Sequence, residues 1–254
     1  MSQTSKRRES ILSRLNLNGS VSVNELSELH DVSLVTIRND LDYLDEKGLL
    51  IRSHGGAIRN QSSLAESSNK IKLTHHTPEK LAIAKEAVKH IHPKDAIILG
   101  AGTTTEYIAK LIADKSDLVV MTNGLNIVST LANSSGLDVM ITGGTLRCDS
   151  QSFYGPQAES SLKDYHFDKI FVGVDGIHLD YGITTHSEHE ARLYRVMCES
   201  IKTTIVVTDS SKFGKVSVYK VIPCNAVDIL ITDSGISEEH KQALTEQNIT
   251  VIIV

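Results

Sequence analysis

The sequence predicts two domains of different class: an N-terminal winged helix-turn-helix, then a larger α/β domain built on a mostly parallel sheet. Three observations carry this. Residues 33–44 read as a capped helix with one apolar face, followed by a Gly55-Gly56 turn. Residues 60–77, NQSSLAESSNKIKLTHHT, are rich in Ser and Asn and have no apolar periodicity, a linker composition. From Pro78 onward, short β-rich apolar runs alternate with helical stretches. The predicted division is a domain over 1–60, a linker over 61–77 and a second domain over 78–254.

The first helix is predicted over 6–15, short and basic, with Ile11, Leu12 and Leu15 inward. Ser22 followed by Glu25 fits a capping box, which opens a second helix holding Leu26 and Leu29. His30, Asp31 and Val32 form the turn into a third helix. Ser33 caps it, with Thr36 three positions on, and Leu34, Ile37, Leu41 and Leu44 share one apolar face. The opposite face carries Val35, Arg38, Asn39 and Asp42, small and hydrogen-bonding groups where a recognition helix meets base edges. Leu49, Ile51 and Arg52 then run extended, and Gly55-Gly56 return the chain through Ala57 and Ile58 as a wing. Arg52, His54 and Arg59 flank the turn, within reach of phosphate or minor groove.

Charge constrains this reading. Residues 1–60 hold eight basic and eight acidic side chains, so the domain is not a non-specific phosphate binder. The cations cluster at the start of the first helix, on the recognition helix and in the wing. The whole chain carries −5, so any attraction to nucleic acid is local. The 254 residues are 40% hydrophobic and 22% charged, ordinary for a globular protein, without an apolar run long enough to span a membrane. The polar start MSQTSKRRES and the widely spaced Cys148, Cys198 and Cys224 fit a cytoplasmic protein with reduced thiols.

In the second domain, strands are predicted at 96–99, 118–121, 139–142, 170–174, 204–208, 229–232 and 249–254. Helices are predicted at 106–112, 125–131, 157–162, 188–200 and 238–247. Ligands of such sheets lie beyond the carboxyl ends of the strands. Those ends carry Gly100, Gly102, Thr103, Thr104 and Thr105; Asn123; Gly143 and Gly144; Asp175; and Lys212. Glycines admit a close ligand, and amides and hydroxyls at a helix start suit phosphate. Lys212 adds a cation, while Asn123 and Asp175 suit hydroxyls. A small anion such as a sugar phosphate is the expected ligand. Taken singly, each residue also fits a turn, a cap or a solvated surface.

Two other chemistries were weighed. Asp175 has the character of a general base, but no paired acid–base set accompanies it. His186, Glu188, His189 and Glu190 form a polar cluster; Ser187 and Glu190 fit a capping box, which explains that cluster without metal. Neither a metal nor a cofactor is expected.

The motifs resemble a known family. Ser33-x-x-Thr36-Ile37-Arg38-x-Asp40-Leu41, then Leu44, Gly48 and Arg52-x-His54-Gly55-Gly56-Ala57, resemble the N-terminal signature of the DeoR family of bacterial sugar-catabolism repressors. Gly102 through Thr105, Thr122-Asn123, Gly143-Gly144 and Ser211-Lys212-Phe213 are similar to motifs of its sensor domain, itself similar to ribose-5-phosphate isomerase and glucosamine-6-phosphate deaminase folds. Residues 150–159, 165–177 and 185–200 are similar to the N-acetylgalactosamine-pathway (AgaR) branch. Many relatives carry Asp where this chain has Gly100. The resemblance implies operator DNA read through Ser33, Val35, Thr36, Arg38 and Asn39, with Arg52 and His54 in the wing. It implies a phosphorylated sugar effector, a dimer or tetramer, and no enzymatic activity. The alternative is an isomerase- or deaminase-like enzyme fused to a DNA-binding domain.

Overall fold

The computed structural model describes residues 3–18, 20–46, 50–53, 55–59, 69–199 and 201–254. His54, Gly48, Leu49 and residues 61–68 of the expected linker lie outside them. The chain divides into two units, Met1–Ala65 and Glu66–Val254.

The first unit runs α1 (Gln3–Asn18), β1 (Ser20–Ser22), α2 (Val23–His30), α3 (Leu34–Glu46), β2 (Leu50–Ser53) and β3 (Gly56–Arg59). Its core joins Ile11 and Leu15 of α1, Leu26 of α2, Ile37, Leu41 and Leu44 of α3, and Leu50 and Ala57 of the wing. The capping box forms: Glu25 N donates to Ser22 Oγ at 3.1 Å and Ser22 N to Glu25 Oε2 at 3.3 Å. Asp31 adopts the left-handed conformation that ends α2 and turns the chain into α3.

Two features depart from expectation. The wing has three strands in the order β1-β3-β2, because Ser20, Val21 and Ser22 pair antiparallel with Ile58, Ala57 and Gly56. Gly56 permits this pairing, since a Cβ there would lie 2.0 Å from Val21 O. Leu34 is not in the core: it is 40% exposed, so the apolar face of α3 begins at Ile37.

In the second unit, α4 (Asn69–Thr74) lies inside the stretch whose composition suggests a linker. It is anchored by Asn69, which is buried and donates from N to Asp149 O at 3.1 Å and from Nδ2 to Ser150 O. Next come α5 (Thr77–Val88), β4 (Ala96–Leu99), α6 (Thr103–Ile112), β5 (Leu118–Thr122), α7 (Leu125–Leu131) and β6 (Leu137–Ile141). A hairpin, β7 (Thr145–Arg147) and β8 (Ser152–Tyr154), leads to α8 (Pro156–Ser160) and β9 (Phe167–Val172). The chain continues through β10 (Gly176–His178), β11 (Gly182–Thr185), α9 (Glu188–Glu199), β12 (Ile201–Val207), β13 (Tyr219–Ile222), β14 (Ile229–Thr232), α10 (Glu238–Glu246) and β15 (Thr250–Ile253).

All seven strands predicted for this domain pair parallel in one sheet, in the order β15-β14-β12-β9-β4-β5-β6. Successive side chains point to opposite faces. Ile97 and Leu99 thus join the layer of α5, α6 and α7, while Ile98 joins that of α8 and α9. From β4 the chain adds β5 and β6 on one side, then returns to add β9, β12, β14 and β15 on the other. The order therefore reverses between β4 and β9, and a crevice opens beyond their carboxyl ends.

Candidate functional site

The exposed face of α3 is the first candidate. Ser33 caps the helix: Thr36 N donates to Ser33 Oγ at 3.1 Å, and the two hydroxyls lie 2.9 Å apart. Both hydroxyls serve the cap before any other partner. Val35 is 60% exposed, and Arg38 and Asn39 project to solvent. Among the described residues, Arg38 has no ion pair or hydrogen bond.

Three other arginines of this unit are engaged. Arg52 donates from Nε to Asp42 Oδ1 at 2.7 Å and from Nη1 to Gly56 O at 2.8 Å, so it braces the wing against α3. Arg7 and Arg8, expected among the cations available to DNA, both bond Asp40. Asp40 is 2% exposed on the inner side of α3, not on the outer face where its charge would suggest. The i to i+3 spacing from Ile37 was the sequence feature that placed it inward.

The second candidate lies at the strand ends of the larger unit. The loop after β4 is fixed from every side. Ala101 N donates to Asn123 Oδ1 at 2.8 Å, Thr105 Oγ1 to Gly100 O at 2.6 Å, and Tyr194 OH to Ala101 O at 2.8 Å. The first amides of α6 have no carbonyl one turn back to bond. The loop thus presents the N–H groups of Thr103, Thr104 and Thr105 as a rigid set. The first-turn dipole favours an anion there.

Three lysines cluster about Asp175 and Asp209, which follow the neighbouring strands β9 and β12. Lys72 Nζ lies 2.9 Å from Asp175 Oδ1. Asp175 Oδ2 also accepts from His186 N at 3.3 Å and lies 3.0 Å from Thr185 Oγ1, for whose single proton it competes with Glu190 Oε2. Burial pushes the Asp175 carboxyl up, but the Lys72 and His186 charges and the Lys72 hydrogen bond outweigh it and hold the group well below the usual carboxylate range. Burial pushes the Lys212 ammonium down, against the raising effect of Asp209 and Asp175. Lys80 is 5% exposed, and burial lowers it too, with Asp209 acting in the opposite sense. Lys72, Lys80 and Lys212 lie among the carboxylates Asp175, Asp209 and Glu79, with Glu190 joined to Asp175 through Thr185, so the cluster gathers three ammonium groups whose charges are shared rather than singly paired. Asp175 is so fully engaged that it is a poor general base.

Gly102, Thr103, Thr104, Thr105, Asp175 and Lys212 follow β4, β9 and β12, which are neighbours in the sheet. Other predicted residues have different work. Asn123 is 1% exposed and spends its amide on Ala101 N and Phe153 O, so it shapes the loop and does not face a hydroxyl. Gly100 packs against Tyr194; a Cβ there would lie 3.1 Å from the ring and 3.2 Å from Val172. Gly143 and Gly144 follow the edge strand β6, two strand spacings or about 10 Å from β4. Gly144 has φ +100°, and a Cβ there would lie 2.4 Å from Tyr154 O, so it is where the chain enters the β7–β8 hairpin, close against its returning strand.

Lys72, Lys80, Thr185 and Tyr194 were not found from the sequence. Lys72 and Lys80 sit in and just after the stretch of linker composition, which carries no motif that singles them out. The cluster around His186 divides as capping predicts: Glu190 N donates to Ser187 Oγ at 3.4 Å, and Thr185 Oγ1 donates to Glu190 Oε2 at 2.7 Å. Among the described residues no His, Cys, Asp and Glu group is arranged to hold a metal ion, and no helix is long and apolar enough to cross a membrane.

Comparison with known proteins identifies both units. Residues 7–63 match the DeoR-like helix-turn-helix domain, and residues 75–234 match the DeoR C-terminal sensor domain. The chain belongs to the DeoR family.

Its relatives are similar along nearly their whole length. A protein of Escherichia coli O157:H7 provisionally named aga operon transcriptional repressor is 47% identical over 253 residues, covering 99% of this chain and 94% of that one. The transcriptional repressor AccR of Agrobacterium fabrum (strain C58) is 34% identical, covering 91% and 90%. A solved D-ribose-5-phosphate isomerase in complex with phospho-erythronic acid is similar over 53% of this chain and 52% of its own, at 22% identity and a TM-score of 0.38. This DeoR-family chain is a DNA-binding transcription regulator with a sensor domain for a small-molecule effector, not an enzyme.

Proposed function

We propose that this regulator represses a sugar-catabolic operon and leaves its operator when a phosphorylated sugar binds the sensor unit. The observation that carries this is the gathering of Lys72, Lys80 and Lys212 about Asp175 and Asp209, at the strand ends where the order reverses and α6 begins. A phosphate matches that chemistry, because it accepts from several amides and ammonium groups at once. In this reading the phosphate lies on Thr103, Thr104 and Thr105 N–H, with Lys212 beside it, and Asp175 and the residues around it meet the sugar. Similarity to the E. coli O157:H7 relative favours an amino-sugar phosphate of the galactosamine type.

On the DNA side, Val35, Arg38 and Asn39 face the bases or nearby phosphates, the Ser33–Thr36 cap sets the start of the helix, and Arg52 holds the wing. The chain acts as a dimer or tetramer in the bacterial cytoplasm, on the nucleoid when bound, because paired half-sites multiply the affinity of one small domain.

A thermal-shift screen of the full chain tests the effector class. Bound ligand raises the melting temperature by mass action. Hexosamine and hexose phosphates are expected to stabilise the chain, and their free sugars at equal concentration are not. Equal shifts from both would rule out an anion site.

A further inference from the structure

We propose that α4 couples the sensor site to the DNA-binding unit, with the Lys72–Asp175 ion pair as its latch. The inference rests on reading the strand-end cluster as an anion site, and it names how that site is regulated. In sequence, α4 is the first described helix after the stretch that joins the two units. Among the described residues, several polar contacts hold it to the sensor unit. Asn69 ties its start to Asp149 and Ser150. Lys72 ties its middle to Asp175. Lys80, reaching from α5, donates to Lys72 O and to His75 O at 2.7 Å, so a buried ammonium caps the carbonyl end of α4.

Two of these contacts are made by ammonium groups of the cluster about Asp175 and Asp209, and α4 packs against α6. An anion seated on the α6 amides therefore competes with Asp175 for Lys72. Binding becomes favourable in proportion to how far Lys72 leaves Asp175. By linkage, whatever holds Lys72 on Asp175 weakens anion binding to the same degree. The Lys72–Asp175 arrangement is the operator-competent one, and the anion releases α4 from it.

The latch can be tested without any ligand. Lys72→Met and Asp175→Asn in the full chain each break it. Both are expected to raise hydrogen exchange over residues 69–74 about tenfold and to weaken binding to an operator fragment selected by the wild-type chain by a similar factor, or about 1.4 kcal/mol. The double variant should be no worse than either single one, because they remove one contact. Lys72→Arg should restore most of the affinity, which separates loss of the latch from misfolding. Lys202→Met, which breaks the distant surface pair with Asp168, should change neither readout.

Unchanged exchange in α4, or raised exchange with unaltered operator affinity, overturns the proposal. A second arm adds D-galactosamine 6-phosphate or inorganic phosphate: the wild type should lose operator affinity and Lys72→Met should lose no more. If neither anion acts on the wild type while the ligand-free results hold, the anion-site reading fails and the latch stands.

Discussion

Arg8 Nε lies 2.7 Å from Oδ1 of Asp40, and Asp40 is almost wholly shielded from water. With Arg7 on its other oxygen, this carboxylate fastens α1 to the inner side of α3. The Arg8 guanidinium also lies 3.6 Å from the centre of the Tyr43 ring. The orientation of the recognition helix therefore depends on ion pairing as well as on its small apolar core.

Removing Asp40 strands two partly buried guanidinium groups. Asp40→Ala is expected to destabilise the first unit by about 3 kcal/mol. Hydrogen exchange over α3 reads this locally, and operator affinity should fall with it. Exchange in α3 that matches the wild type would show that the pairs contribute nothing to the orientation.

Arg38 makes the opposite case, since among the described residues it has no ion pair or hydrogen bond. Arg38→Ala is expected to leave α3 exchange unchanged and to cost about 1–3 kcal/mol of operator binding. Arg52→Ala should weaken binding less, and should loosen the wing, because its guanidinium is held by Asp42 and Gly56. Gel-shift titration at moderate salt ranks the two. A larger loss from Arg52 would place the wing, not α3, at the centre of recognition.

Gly144 and Gly143 separate close approach from simple turn geometry. At Gly144 a Cβ would collide with the Tyr154 carbonyl, whereas at Gly143 the nearest atom is 3.6 Å away on the Gln157 side chain. Both have positive φ, which costs an alanine about 1 kcal/mol. Gly144→Ala should cost clearly more, about 2–3 kcal/mol, because backbone must also shift. Urea unfolding of the second unit compares them, and equal losses would contradict the packing described.

Asp175 gives the second unit a pH dependence of known sign. Its folded carboxyl titrates below the ordinary value of about 3.9. Between that value and the lower folded one, the unfolded chain binds the extra proton, so stability falls as pH falls through this window. Above it the contribution is complete. Urea midpoints of the second unit should drop as pH falls from about 4 to about 2, and drop less in Asp175→Asn. Identical profiles would remove Lys72 and His186 as its partners.

Much of this architecture was legible in the residues. Seven short apolar runs fell on the seven strands of the main sheet because fully buried parallel strands leave an unbroken apolar signature. The Ser22 and Ser33 caps were readable because a cap is a local contact. What stayed hidden was long-range. β1 is three residues long and exists because Val21 meets Ala57. Lys72 gains its meaning only from Asp175, more than a hundred positions away. Asn123 was assigned to a ligand because its spacing is right for one; only the packed structure shows its amide spent on Ala101. The small sheet of β10, β11 and β13 was missed for the same reason, as its order is β10-β11-β13 across an intervening helix and strand.

An anion on the α6 amides and Lys212 is expected to take this regulator off its operator. Fluorescence anisotropy of a labelled operator fragment bound to the full chain tests it most directly, titrated with D-galactosamine 6-phosphate and with D-galactosamine. The phosphate is expected to release DNA at a concentration at least about tenfold below that of the free sugar. In Lys212→Ala its midpoint should rise by about 10–100-fold, the loss of one charge-assisted contact. Release by the free sugar at the same concentration, or a Lys212→Ala midpoint equal to that of the wild type, would contradict the account.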